Sequence, residues 1–253
     1  MKRSNGYPFH GFRYYLIATL VMISLNDGII AGDKTIIPYE ASYMGIALLN
    51  MTLTWEELDS TVQITYDNQL KPFMAYFHPL HNIYKVHFNK INYEPISWSK
   101  KVSEGSMNFF LGATRSTDGI NAEYSNGAIR SFPEEALTVF TATHFLASKA
   151  KDSAFFPRDL EVFIDGEIWS ATATRYTPSY PHPEIKLSSS QVLIHTELHY
   201  LEGTRVMDRN DILMDVIARE GTRFLLWVEL DGSYSKAQFG EFPKAVVLKR
   251  IQQ

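Results

Sequence analysis

The sequence predicts a mainly β protein, an antiparallel rolled sheet or open barrel-like sandwich with one substantial helix at about residues 133–149. Three observations predict it. Apolar and polar residues alternate with a period of two along much of the chain, the spacing that gives a strand one buried face. Dipeptides that accept positive φ in tight turns recur between those runs, at Asp118-Gly119, Asn126-Gly127, Asp165-Gly166 and Asp231-Gly232. One stretch, Ala136 to Lys149, has helical spacing instead, with Leu137, Phe140 and His144 on one face and Val139, Ala142, Phe145 and Leu146 widening the stripe.

Taken in order, the chain starts with Lys2, Arg3 and Arg13, then an uncharged apolar run from Tyr14 to Leu25, then small residues up to Gly32. That is the three-part layout of a secretory signal peptide. The run ends at Asn26-Asp27-Gly28, short of the roughly 20 apolar residues a membrane-spanning helix needs. Residues 1–32 are therefore expected to be a cleaved leader, and 33–253 a single β-rich exported domain with no transmembrane span. Ala47, Leu49, Met51, Leu53 and Trp55 predict a strand, Glu56 to Asp59 a turn, and Val62, Ile64 and Tyr66 the returning strand. Tyr84, Val86 and Phe88 predict a third, and Ile96 with Trp98 a fourth that ends before Glu104-Gly105. Further strands are expected at Met107 to Thr114, Ile120 to Tyr124, Leu160 to Ile164, Glu167 to Tyr176, Arg223 to Leu230 and Ser233 to Phe239. The helix is expected to start at the capping-box spacing Ser131-Phe132-Pro133-Glu134 and to lie against the sheet or plug its open end. Asp211 to Arg219 fits a short helix or a strand, and Pro178 to Pro183 an extended loop.

Composition narrows the compartment and the partners. Cleavage after Ala31 removes three basic residues and one acidic residue from totals of 24 and 28, so the net charge moves from −4 to −6. Nucleic acid is not an expected partner, because phosphate binding needs a concentrated basic surface and the densest runs here resemble Lys100-Lys101, read as solvated surface. The absence of cysteine rules out disulfides, thiol catalysis, thiolate metal sites and a lipid-modified cysteine. With 45% hydrophobic residues, a disulfide-free chain can rely on an ordinary core, which points to the bacterial periplasm. An outer-membrane barrel is disfavoured by the unevenness of the strands.

Several stretches resemble a known family. Ile37-Pro38-Tyr39-Glu40-Ala41-Ser42-Tyr43-Met44-Gly45, the segment Tyr76 to Tyr84, Phe132 to Leu137 followed by Phe145-Leu146, Leu226 to Asp231 and Ala245 to Leu248 are similar to the exported bacterial domain-of-unknown-function family 3108. The resemblance spans nearly the whole mature region. It implies a β-rich envelope protein and offers no catalytic motif to transfer.

Two groups of residues are candidate sites. His195, Glu197 and His199 occupy alternate positions of a predicted strand, at intervals of about 7 Å on one face, and two His with a carboxylate are a familiar zinc or iron set. A plain exposed strand face is the favoured reading, and His78 and His81, which could supply further ligands, are explained as well by a turn between strands. Tyr76, Tyr84, Phe88 and Trp98 belong to an aromatic-rich group of strands that could line a groove for an acyl chain, polyprenyl tail or sugar. Nucleophile-elbow, zinc-helix, dinucleotide and phosphate-loop motifs are absent, so no catalytic residue is nominated. The reading that follows is a non-enzymatic periplasmic protein that binds an envelope lipid or glycan, or an envelope protein during assembly. No cofactor is expected beyond a divalent metal on the His strand, and a metal-dependent hydrolase is the alternative.

Overall fold

The computed structural model describes residues 33–75, 79–207, 211–229, 231–241 and 244–251. The expected signal peptide at 1–32, together with Tyr76 and His78, lies outside the described residues. The first half of the chain forms β1 (Lys34–Tyr43), β2 (Ile46–Glu57), β3 (Thr61–Leu70), a single helical turn α1 (Pro72–Ala75), β4 (His81–Asn89), β5 (Pro95–Glu104), β6 (Met107–Arg115), β7 (Asn121–Tyr124) and β8 (Ile129–Ser131). A two-residue strand, β9 (Leu137–Thr138), leads into the main helix α2 (Val139–Lys149). The second half forms β10 (Arg158–Ile164), β11 (Glu167–Tyr176), β12 (Val192–Gly203), the short helix α3 (Ile212–Ile217), β13 (Thr222–Val228), β14 (Tyr234–Phe239) and β15 (Val246–Arg250).

All fifteen strands belong to one sheet, in the order β8-β7-β6-β5-β4-β3-β2-β1-β15-β14-β13-β12-β11-β10-β9. From β1 to β8 and from β10 to β15 each strand pairs antiparallel with the next, and β15 returns to pair with β1. Among the described residues there is no ladder between β8 and β9; β9 instead runs parallel to β10. The sheet is thus a rolled meander with one seam, and residues 132–136 carry the chain across it.

Side chains close that seam. Phe132 lies 4.8 Å from Phe163 and 5.6 Å from Trp98 between ring centroids, and Trp98 meets Phe163 edge-on. Leu111, Ala113 and Tyr124 from one edge and Ile168 from the other complete this cluster. Arg130 Nε donates to the Thr204 carbonyl at 2.8 Å. The Asp165-Gly166 turn beside it needs positive φ at both residues, 49° and 100°. A Cβ on Gly166 would come within 2.6 Å of the Thr204 carbonyl, so this close approach requires glycine.

The alternation read from the sequence sorts side chains between lumen and outside. On β3, Val62, Ile64 and Tyr66 are buried, while Gln63, Thr65 and Asp67 face out; β4 does the same with Tyr84, Val86 and Phe88. Apolar-in and polar-out is the reverse of the lipid-facing pattern of an outer-membrane barrel.

Three sequence expectations need correction. The helix begins at Val139, because Thr138 takes the cap by accepting from Thr141 N, whereas Ser131 is spent pairing with Asn121 in β8. Ile96 is exposed and does not share the face of Trp98; a register shift between His87 and Phe88 sets Phe88 opposite Pro95 and His87 opposite Ser97, with Ile96 between them. Lys100 is buried, not solvated. Of the stretch Asp211 to Arg219, Ile212–Ile217 form a short helix, with Asp211 capping Met214 N at 3.0 Å.

If seam packing closes the roll, Phe132→Ala should cost about 3–5 kcal/mol in urea unfolding, whereas Ile91→Ala, at an 87% exposed position, should stay within about 0.5 kcal/mol. Equal, small effects at both sites would contradict seam closure.

Candidate functional site

The helix α2 stands inside the roll and is buried nearly all round, as an apolar helix without a polar face must be. His144 projects from it into an aromatic nest. Its Nε2 is 2.7 Å from the Tyr66 hydroxyl, and its ring lies 5.2 Å from Trp55 and 5.5 Å from Tyr234. Tyr39 stacks on Tyr234 and donates to its backbone carbonyl at 3.1 Å. His144 keeps some accessible surface as a residue, but these rings enclose its imidazole, and burial lowers its pKa to about 3. Burial likewise raises the Tyr39, Tyr66 and Tyr234 hydroxyls. The nest is neutral.

Next to the first turn of α2 a cavity of about 180 Å³ remains. Its walls are almost wholly apolar: Ala41 of β1, Met51 of β2, Phe140 of α2, and Ala237 and Phe239 of β14. Leu213 of α3 and Met74 of α1 stand where the strands end. Tyr66 and Tyr84 pack their rings on Phe140, at 4.7 and 5.4 Å.

One wall of this cavity is polar, and it is held by a buried network. Asn68, Asn82 and Glu104 line the cavity from β3, β4 and β5. The Asn82 amide donates to Glu104, and its oxygen accepts from Ser103 N at 3.0 Å. Glu104 also accepts from Ile212 N at 3.3 Å, which ties β5 to the start of α3. Behind this wall Tyr84 donates to Asp211 at 2.6 Å, and Lys100 pairs with Asp211 at 3.3 Å and with Asp165. Burial first, then Asp211, pushes the Tyr84 hydroxyl well above its usual range. A buried charge is costly unless paired and hydrogen-bonded, and these groups meet both conditions.

The four nominated aromatics fare differently. Tyr84 lines the cavity. Phe88 is a core residue, fully buried and stacked on Tyr93 5.5 Å away. Trp98 belongs to the seam, and Tyr76 lies outside the described residues. The sequence reading missed Asn68, Asn82, Lys100 and Glu104, although each falls in phase with the apolar positions of its strand.

His195, Glu197 and His199 do share the outer face of β12, opposite the buried Ile194, Thr196 and Leu198. They do not converge as a set of three. His199 Nδ1 lies 2.7 Å from Glu220, and Glu197 lies 3.7 Å from its other nitrogen. His195 instead meets His182, with ring centroids 5.4 Å apart, in the region where Ile185 and Leu187 pack on Leu193 and Trp227. Among the described residues no three His, Asp or Glu side chains are placed to hold a metal.

No protein-family model matches the chain, and no curated protein matches it. Among solved structures it is similar to a crystal structure of a β-barrel-like protein of domain of unknown function DUF1849 from Brucella abortus. The two share 9% identity over 87% of this chain and 95% of that one, with a TM-score of 0.49. That neighbour is itself a bacterial domain of unknown function.

The buried imidazole gives a pH signature. An unfolded histidine takes up its proton near pH 6.5, but folded His144 resists protonation down to about 3. Stability present above pH 6.5 is therefore lost as pH falls toward 3. His144→Gln, which keeps a polar partner for Tyr66, should flatten the decline between pH 6 and 5 by on the order of 1 kcal/mol per pH unit. His195, lowered by partial burial, adds a slope of the same sign to both proteins. An unchanged slope in the variant would mean that His144 titrates freely.

Proposed function

We propose that this chain is an exported, non-enzymatic protein of the bacterial envelope that binds the apolar portion of an envelope lipid or lipid-linked glycan in the lumen of its rolled sheet. The cavity beside α2 carries this reading. Protein interiors are close-packed, and an apolar hollow of about 180 Å³ with a few convergent polar groups is the ordinary form of a small-ligand site. A dry engineered cavity of roughly 150 Å³ admits benzene, so this one suits the end of an acyl or prenyl chain. Periplasmic location is supported by the leader-like start of the sequence and the lack of cysteine.

Kinship with the exported family 3108 is part of the proposal. The stretches that carry the resemblance fall at structural landmarks: β1 and its turn, the approach to β4, the seam crossing at 132–136, and strands β13 and β15. Assembly through a strand edge is less well supported, because the edge strands β8 and β9 have only three and two residues and short edges are poor templates for another chain. A metal-dependent hydrolase draws no support from the His strand, where His199 is engaged by Glu220 and His195 by His182.

Native mass spectrometry of protein gently extracted from cells should show co-purified lipid. Ala237→Phe, which projects a ring into the cavity from a fully buried position, should abolish that adduct at an overpacking cost of about 1–3 kcal/mol. A wild-type protein that is consistently free of lipid, or an adduct that persists in the folded variant, would overturn the lumen as the binding site.

A further inference from the structure

The lumen contains a second, smaller hollow of about 30 Å³, close to the seam. Val86, Leu111, Val139, Phe163 and Met214 line it, together with the paired Lys100 and Asp165. Among the described residues only Tyr84 and Phe140 line both this hollow and the larger cavity. Their rings, 5.4 Å apart between centroids, therefore form the partition between the two spaces. The two are held differently. Tyr84 is anchored through its hydroxyl, which donates to Asp211 at 2.6 Å. Phe140 is held by packing alone, against Tyr84 and against Tyr66 at 4.7 Å. It is the second residue of α2, so the seam crossing that starts the helix also sets where this ring sits.

The larger cavity has an outer and an inner end. Leu70, Met74, Leu80 and Leu213, where the strands end, are all partly exposed, whereas Tyr66, Tyr84 and Tyr234 on the inner side are buried. A chain entering from the strand ends meets Phe140 at its inner limit. We infer that Phe140 sets the length of apolar chain that the lumen accepts. A dry cavity of roughly 150 Å³ holds the six carbons of benzene, so one of about 180 Å³ holds about seven. The inference rests on the proposal that the lumen binds a ligand, and it adds which part is bound: the terminus of one chain, with the rest of the tail outside, beyond Leu70, Met74 and Leu80. Each carbon that fits contributes burial, and a carbon with no room beyond the partition contributes none, because a packed wall yields to extra volume only at a cost.

Isothermal titration of delipidated protein with 1-alkanols from butanol to decanol holds the head constant and varies the chain. Affinity should rise about three- to fourfold per carbon up to about seven carbons and level off beyond that. Phe140→Ala joins the vacated ring space and the smaller hollow to the cavity, and because such a site collapses only in part, the rise should continue for about three more carbons. Phe140→Leu, a milder truncation that carries the test if Phe140→Ala does not fold, should move the break by about one or two carbons. Affinity that climbs without a break through decanol in the unmodified protein would overturn the length limit and leave lumen binding in place. A break at the same length in a folded Phe140 variant would remove Phe140 as the partition. Failure of every alkanol to bind, or binding that survives Ala237→Phe, would remove the lumen as the binding site and the length limit with it.

Discussion

Among the described residues the rolled sheet has one seam without backbone hydrogen bonds, and the same stretch of chain closes that seam and fills the lumen. After β8 the chain crosses at residues 132–136, lays down β9 against β10 and turns inward as α2. A helix of 11 residues is about 16 Å long, whereas a strand of 12 residues such as β2 extends for about 40 Å. Even with strands tilted around the roll, so short a plug cannot occupy the whole interior. The part filled is the His144 nest; the part left over is the cavity. Hollow and helix thus have one origin, the length of the segment that bridges the seam.

The buried ions follow from the same closure. Lys100 and Glu104 come from β5, Asp165 from the β10–β11 turn and Asp211 from the cap of α3, so their contacts join both halves of the meander. Apolar side chains of similar volume could serve stability equally well. What the network adds is direction. It fixes the start of α3 beside the cavity and gives an otherwise apolar hollow one polar wall.

Much of this fold was legible in the sequence because strand periodicity and Asp-Gly or Asn-Gly turns are local signals. Val62, Ile64 and Tyr66 face inward as their spacing requires, and β11 occupies the residues read for it. Where local rules failed, a tertiary contact had prevailed. The β1–β2 turn uses Met44 and Gly45, at φ of 53° and 79°, and no rule of turn composition points to methionine. Ser131 and Glu134 have capping-box spacing, yet cross-strand pairing holds Ser131 and moves the helix start to Thr138. The candidate site was harder to read. Aromatic content singled out Tyr84, which lines the cavity, together with Phe88 and Trp98, which are core and seam, since hydrophobicity alone does not separate a lining residue from a packed one. The usable signal lay in the polar residues in phase with apolar ones: Asn68 after Ile64 and Tyr66, Asn82 before Tyr84, and Lys100 and Glu104 flanking Val102.

The central claim is that the lumen contains a real apolar hollow and not a filled core. A crystal of the protein pressurised with xenon tests it without any assumption about the natural ligand, since dry apolar cavities of this size take up xenon. The account predicts a xenon atom among Tyr66, Phe140 and Ala237, beside the first turn of α2. A lumen with side chains closed over that position and no bound xenon would contradict it.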